Sequence, residues 1–212
     1  MKLVLYSRKE PGEGDIKIVH ELFKAGLKNY HIRFSNLCKE ELKNYINEIP
    51  RRYHKRIIIH AQHDLCSELH LKGIHFRQDK TGGFFYNLIK SSYLKIVNPK
   101  STISCEASSL DELSSKARLF NYVILRNVFN SISKRRFRNK FDWTEIENTL
   151  TPLKGIVLAR GGISLDKISE ARNLGFSGIV LEELIWDNPD YLNDFKEAKD
   201  RCSPKYSKIL NA

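Results

Sequence analysis

No run of apolar residues in this chain comes near the roughly 20 that a membrane-spanning helix needs. The opening segment, Met1-Lys2-Leu3-Val4-Leu5-Tyr6, is too short for the apolar stretch of a signal peptide, so a soluble cytoplasmic protein is expected. Cysteine is sparse and scattered. Cys38, Cys66, Cys105 and Cys202 form no C-x-x-C pair, which argues against a zinc ribbon or a disulfide framework and leaves reduced thiols as the simpler reading. An H-x-x-x-H pair is missing too. His60, His63 and His75 fall on different predicted strands without a clear carboxylate partner, so no metal centre is expected of them. Acid is in deficit: 25 Asp and Glu stand against 36 Lys and Arg, for a formal charge of +11. That balance favours acidic partners, namely phosphorylated metabolites, nucleic acid or simply water over a basic surface. A nucleic-acid patch is not expected, because Phe137 among its arginines has no accompanying aromatic groove or nucleic-acid motif.

What is present is alternation. Apolar runs of four to six residues alternate with helical periodicity along the 212 residues, the signal of repeated strand-helix units. Predicted strands are Leu3 to Tyr6, Tyr30 to Arg33, Arg56 to His60, Gly73 to Phe76, Thr102 to Cys105, Tyr122 to Leu125, Ile156 to Ala159 and a run ending at Leu181. Predicted helices lie near 16–25, 39–48, 65–71, 84–90, 143–150, 166–174 and 191–199, and one more starts at the S-x-x-E capping box Ser109-Leu110-Asp111-Glu112. That box places Glu106 to Ser108 in a loop. Eight units of about 25 residues fit a compact single-domain α/β fold, a TIM (β/α)8 barrel over 1–202 with a polar tail over 203–212; a doubly wound open sheet is the alternative.

In a barrel the chemistry gathers where strands end. His31 and Arg33 share a face by the period of two, His60 closes the third strand, and His75, Arg77 and Gln78 follow the fourth. Ser104 and Glu106 mark the fifth, Arg126 and Asn127 the sixth, and Arg160 the seventh. Each alone could be an ordinary hydrogen-bonded rim residue. Four arginines together, Arg33, Arg77, Arg126 and Arg160, call for an anion or for the acids Asp64, Glu106, Glu182 and Glu183. After the seventh strand come Gly161-Gly162-Ile163-Ser164. Glycines let backbone approach an anion closely, and a helix start adds N–H donors, so this is a candidate phosphate cup; a plain tight turn is the alternative. The loop Asn130 to Lys140 adds the hydroxyls of Ser131 and Ser133 and five cations including Lys134, suited to folding over a diphosphate or to lying solvated.

The order and spacing of these landmarks resemble the thiamine phosphate synthase and thiazole tautomerase superfamily. They are Ala25-Gly26 before His31-Ile32-Arg33, Asp64-Leu65 then Gly73-Ile74-His75-Phe76-Arg77-Gln78, Val128-Phe129 then Lys134, Gly161-Gly162-Ile163, and Gly175 with Gly178. The resemblance implies a barrel that joins hydroxymethylpyrimidine diphosphate to thiazole phosphate, with Mg²⁺ assisting diphosphate departure. It assigns catalysis to Lys134 and Arg33, and substrate binding to His31, His60, Gln78, Ser104, Ser131, Ser133, Arg160, Gly161 and Gly162. Departures stand beside it. His31 replaces a family glutamine and Ser35 a lysine; His60 and Ala61 replace an Asn-Asp pair, and Lys80 stands where a second acid belongs. Both Mg²⁺ carboxylates are therefore absent from their expected positions. Asn127 replaces the tautomerase histidine, and an amide does not shuttle protons near neutral pH. Glu182 and Glu183 face the cup where the family has small or hydroxyl residues, which opposes phosphate unless Arg160 pairs with one of them. The expected partner is a small phosphorylated or diphosphorylated metabolite, and a non-catalytic barrel that binds such a ligand is the alternative to a synthase.

Overall fold

The structure is a computed structural model and describes residues 1–77, 92, 96, 99–129, 141–153 and 155–204. The predicted helix over 84–90, together with Gln78, Lys80, Ser131, Ser133, Lys134 and all of the tail beyond 204, lies outside the described residues. Eight parallel strands follow one another in sequence order and close into a barrel, with helices in the connections. They are β1 (Lys2–Tyr6), β2 (Tyr30–Ile32), β3 (Ile57–Ile59), β4 (Gly73–Phe76), β5 (Thr102–Ala107), β6 (Tyr122–Leu125), β7 (Val157–Arg160) and β8 (Gly178–Leu181). Helices are α1 (Asp15–Lys24), α2 (Lys39–Glu48), α3 (Leu65–Glu68), α4 (Leu110–Lys116), α5 (Trp143–Leu150), α6 (Lys167–Asn173) and α7 (Tyr191–Arg201). Among the described residues no helix is long and apolar enough to cross a membrane.

The chain divides into two compact units, Tyr6–Glu106 and Met1–Leu5 with Ala107–Ala212. In the first, β2, β3, β4 and β5 pair in parallel, His31 lying opposite Ile58, Ile59 opposite Ile74 and His75 opposite Ser104. Parallel strands are covered on both faces, which is why Ile57-Ile58-Ile59 reads as an unbroken apolar run and is wholly buried. Gly73 allows β4 to approach β5: a Cβ there would lie 1.8 Å from the Thr102 carbonyl oxygen. The segment before β3, which the sequence pattern leaves unassigned, forms a 3-10 turn over Arg51–Arg56, so β3 starts one residue later than its composition suggests. α2 starts with the Glu41 carboxylate accepting the Cys38 N–H at 2.8 Å, and this bond holds the Glu41 acid below its usual pKa.

In the second unit β6, β7 and β8 pair in parallel and β8 pairs with the Met1–Leu5 portion of β1, Lys2 lying opposite Gly178 and Leu5 opposite Leu181. The predicted capping box is present in altered form. Ser109 Oγ accepts from the Glu112 N–H at 3.2 Å, while the Glu112 carboxylate reaches one residue further back to the Ser108 N–H at 2.8 Å. α5 is capped by Asp142, whose Oδ1 accepts from Thr144 N–H at 2.9 Å and Glu145 N–H at 3.2 Å. One boundary differs with consequence: β5 runs on through Glu106 and Ala107, so Glu106 belongs to a strand, not to the expected loop. Ladder bonding there outweighs the local loop tendency of the residues before a helix cap.

A buried polar layer and a glycine turn

Along a strand, alternate side chains share a face. The pairing of Ile59 with Ile74 brings the next residues, His60 and His75, to one level, and His75 lies opposite Ser104. His31 faces the same way one step earlier, and Glu106 follows two residues after Ser104 on its face. The result is a polar layer inside the Tyr6–Glu106 unit. His31, His75 and Ser104 are wholly buried, and His60 and Glu106 are 5% exposed. Its members satisfy one another. His31 Nδ1 and His60 Nε2 are 2.9 Å apart, His75 Nδ1 and Ser104 Oγ 2.9 Å, and the Tyr6 hydroxyl lies 3.4 Å from His75 Nε2 and 3.3 Å from Glu106 Oε1. The Tyr6 ring stacks on His31 with centroids 5.1 Å apart, and the His60 and His75 rings stack at 4.2 Å.

By sequence alone His60 and His75 group with His63, with no clear carboxylate partner. The fold substitutes His31 for His63, whose ring instead stands edge-on to Phe76 at 5.2 Å, and sets Glu106 Oε1 4.0 Å from His75 Nε2. Tyr6 was not singled out from sequence. The available signal was a large hydroxyl-bearing residue closing an apolar strand, which in a barrel points its hydroxyl either inward or into the surrounding helices.

Arg33 is held at the end of β2 by Ser7. Its Nε donates to the Ser7 carbonyl at 2.7 Å, its backbone N–H donates to Ser7 Oγ at 3.0 Å, and its guanidinium lies 5.7 Å from the Tyr6 ring centre. His31, His60, Ser104 and Arg33 thus belong to one neighbourhood, as a common binding region requires. Ser104, wholly buried and bonded to His75, orients an imidazole in this conformation.

The second unit holds the glycine turn. Gly161 and Gly162 both have positive φ, 98° and 65°, and a Cβ on Gly161 would come within 3.0 Å of Asn127 Cα. Val128 N–H donates to the Arg160 carbonyl at 3.0 Å and Phe129 N–H to the Gly161 carbonyl at 3.1 Å, so the segment after β6 is stitched along the turn. The helix does not open directly behind the glycines. α6 begins at Lys167, after Ser164 Oγ has donated to Asp166 Oδ1 at 2.6 Å, a bond that holds the Asp166 acid below its usual pKa. The turn therefore offers glycine backbone without an adjoining helix start. Arg160 Nε lies 3.2 Å from Glu182 Oε2, the pairing that the cup needs if it is to accept an anion. This chain's rim acid is at least partly neutralised by its neighbour.

Away from both, a cavity of about 830 Å³ lies where β4 and β5 begin, lined by Arg51, Lys55, His70, Lys72 and Lys100 among others. Lys72 Nζ there bonds Asn29 Oδ1 at 2.5 Å. The cavity is at the strand starts, the end of a barrel that is associated with stability, so its size does not make it the reaction site.

The Mg²⁺ implied by the resemblance can be tested against these donors. Mg²⁺ demands oxygen ligands in near-octahedral array. Among the described residues the one group of three or more potential ligands that converges is His31, His60 and His75, an all-nitrogen set. That histidine set does not fit Mg²⁺.

A closed parallel barrel with a glycine turn after β7 defines the class of (β/α)8 proteins in which phosphate ligands commonly sit near the last two strands. The thiamine monophosphate synthase family model matches residues 2–185, and the chain belongs to that family. The thiamine-phosphate synthase of Fusobacterium nucleatum is 23% identical over 175 residues, covering 79% of this chain and 80% of that one. That of Proteus mirabilis is 25% identical over 219 residues, covering 95% and 94%. Two thiamine phosphate pyrophosphorylase structures share the fold. The one from Bacteroides thetaiotaomicron has a TM-score of 0.75 at 23% identity over 95% of this chain and 97% of that one. The one from Pyrococcus furiosus has a TM-score of 0.74 at 16% identity over 98% and 96%.

Proposed function

We propose that this protein is a divergent synthase that joins hydroxymethylpyrimidine diphosphate to thiazole phosphate and releases diphosphate. The family match over residues 2–185 carries the reading. In it Gly161 and Gly162 hold the thiazole phosphate, with Arg160 balanced by Glu182, and Arg33 and His60 serve the pyrimidine side. Lys134, Ser131 and Ser133 bind the diphosphate, Gln78 is a further substrate-binding residue, and Lys134 stabilises the departing group. Ser104 acts through His75. The reaction breaks the bond from the pyrimidine methylene carbon to the diphosphate oxygen and forms one from that carbon to the thiazole nitrogen. The diphosphate leaves with the bonding pair, and cations placed around it lower the barrier.

A second reading is a barrel that binds the phosphorylated ligand without turnover. It is favoured by the nitrogen donors His31 and His60 standing where the resemblance expects amides, and by Ala61 in place of an acid. One experiment separates the two. Purified protein is incubated with both substrates, with and without Mg²⁺, and thiamine phosphate is measured. Product formation that falls in Lys134→Ala supports the synthase. Absence of product at high protein concentration, with a substrate-dependent rise in Tm, overturns it in favour of the binder.

A further inference from the structure

We propose that His31, His60 and His75 form a binding site for one transition-metal ion of the Zn²⁺ class within the buried polar layer. One ring nitrogen from each lies within 4.8 Å of the others, and the rings come from three successive strands, β2, the end of β3, and β4. Three neutral imidazoles are a donor set suited to Zn²⁺ and its neighbours and unsuited to Mg²⁺. A tetrahedral ion with Zn–N bonds of about 2.0–2.1 Å holds its donors roughly 3.3 Å apart. The His31 and His60 nitrogens, now 2.9 Å apart, need only open slightly. The remaining separations close by at most roughly 1.5 Å, within reach of side-chain rotation.

Protons can be arranged to suit. The short contact between His31 Nδ1 and His60 Nε2 requires a proton on one of them. Metal binding moves that proton to the far nitrogen of the same ring, a tautomer change that frees both lone pairs without altering the charge. His75 is already oriented. Its Nδ1 sits 2.9 Å from Ser104 Oγ, which directs Nε2 towards Tyr6 and Glu106. An outer hydrogen bond on the second ring nitrogen is the usual support of a metal-binding histidine. The Tyr6 hydroxyl, the Glu106 carboxylate or a water held by them supplies the fourth position, and the carboxylate offsets part of the cost of burying the ion's charge. The inference concerns metal binding alone and stands or falls independently of the condensation proposed above.

The test uses the full chain, stripped with a chelator and titrated with ZnCl₂, CoCl₂ and MgCl₂. Zn²⁺ is expected to bind with one equivalent per chain by calorimetry and to raise Tm by roughly 5–10 °C at a hundred-fold excess over Kd. Co²⁺ should give the visible d–d bands of a four-coordinate site with three nitrogen ligands and one oxygen ligand, and Mg²⁺ no shift. The double variant His31→Gln with His60→Asn returns the side-chain types that the resemblance assigns to these positions. It should melt cooperatively and lose at least ~100-fold in Zn²⁺ affinity, while Ser104→Ala loses roughly 10–100-fold. If the double variant does not melt cooperatively, His75→Gln is read in its place. No saturable Zn²⁺ binding by the parent protein overturns the proposal and leaves a purely hydrogen-bonded histidine cluster. An undiminished equivalent in the histidine variants also overturns it, since the metal then sits elsewhere.

Discussion

The two units of this barrel use the same strand-helix repeat to opposite ends. In Tyr6–Glu106 the inward residues include Tyr6, His31, His60, His75, Ser104 and Glu106, so hydrogen bonds among side chains supply part of what apolar packing would otherwise supply. In the unit containing β6 to β8, Ile124, Leu125, Leu158, Ile179, Val180 and Leu181 are essentially unexposed, and the Arg160–Glu182 pair stands at the strand ends beside the glycine turn. Strand geometry is common to both. The difference lies in what a substitution breaks: in one unit the pairing of buried polar groups, in the other close-packed volume. A buried polar group left without a partner costs roughly 1–3 kcal/mol, while truncating a buried leucine costs roughly 2–5 kcal/mol.

That contrast can be broken in order of effect. Gly73→Ala should be the most damaging, because backbone carbonyl at 1.8 Å from the new Cβ cannot be avoided by rotating a side chain. A loss of at least ~4 kcal/mol is expected in denaturant unfolding, and a folded variant of near-parental midpoint would show that β4 and β5 pair differently. Next comes a matched pair. Leu158→Ala, in the apolar unit, should cost roughly 2–5 kcal/mol and Ser104→Ala, in the polar one, roughly 1–3 kcal/mol. Equal and negligible costs would dissolve the distinction between the units.

The smallest effect is in the thiols. Burial pushes Cys66 in the first unit up to about 12 and Cys202 in the second up to about 11, so both stay protonated at pH 8. Exposed Cys38 should be the single fast-reacting thiol of the four in native protein, with all four reacting in denaturant. The linked stability change has a definite sign. Unfolded thiols ionise near pH 8.5 while these two do not, so the folded chain retains more protons and stability falls as pH rises from there towards 11–12. A Tm that rises across that window would contradict the burial of both residues.

Much of the fold was legible because it depends on local signals. α2 and α5 fall where helical periodicity put them, and β4 and β6 coincide with their apolar runs. Glu106 was misplaced because the capping box at Ser109 marks a helix start but says nothing of how far the preceding ladder extends. Each residue of the polar layer except Tyr6 was visible as a strand-end polar group, yet their grouping was not. The choice of His31 over His63 as third member follows from the pairing of β2 with β3 and β3 with β4, which sequence spacing does not encode. The pairing of Arg160 with Glu182 was likewise open until β7 and β8 were set side by side.

The sequence by itself determined the strand-helix alternation, the family and the glycine turn, since apolar period, landmark spacing and backbone freedom are properties of neighbouring residues. Only the tertiary structure decided which imidazoles meet, which acid neutralises Arg160, and that α6 begins beyond Ser164. Those outcomes rest on register between strands far apart in the chain. A shift of one residue there would turn each histidine to the opposite face.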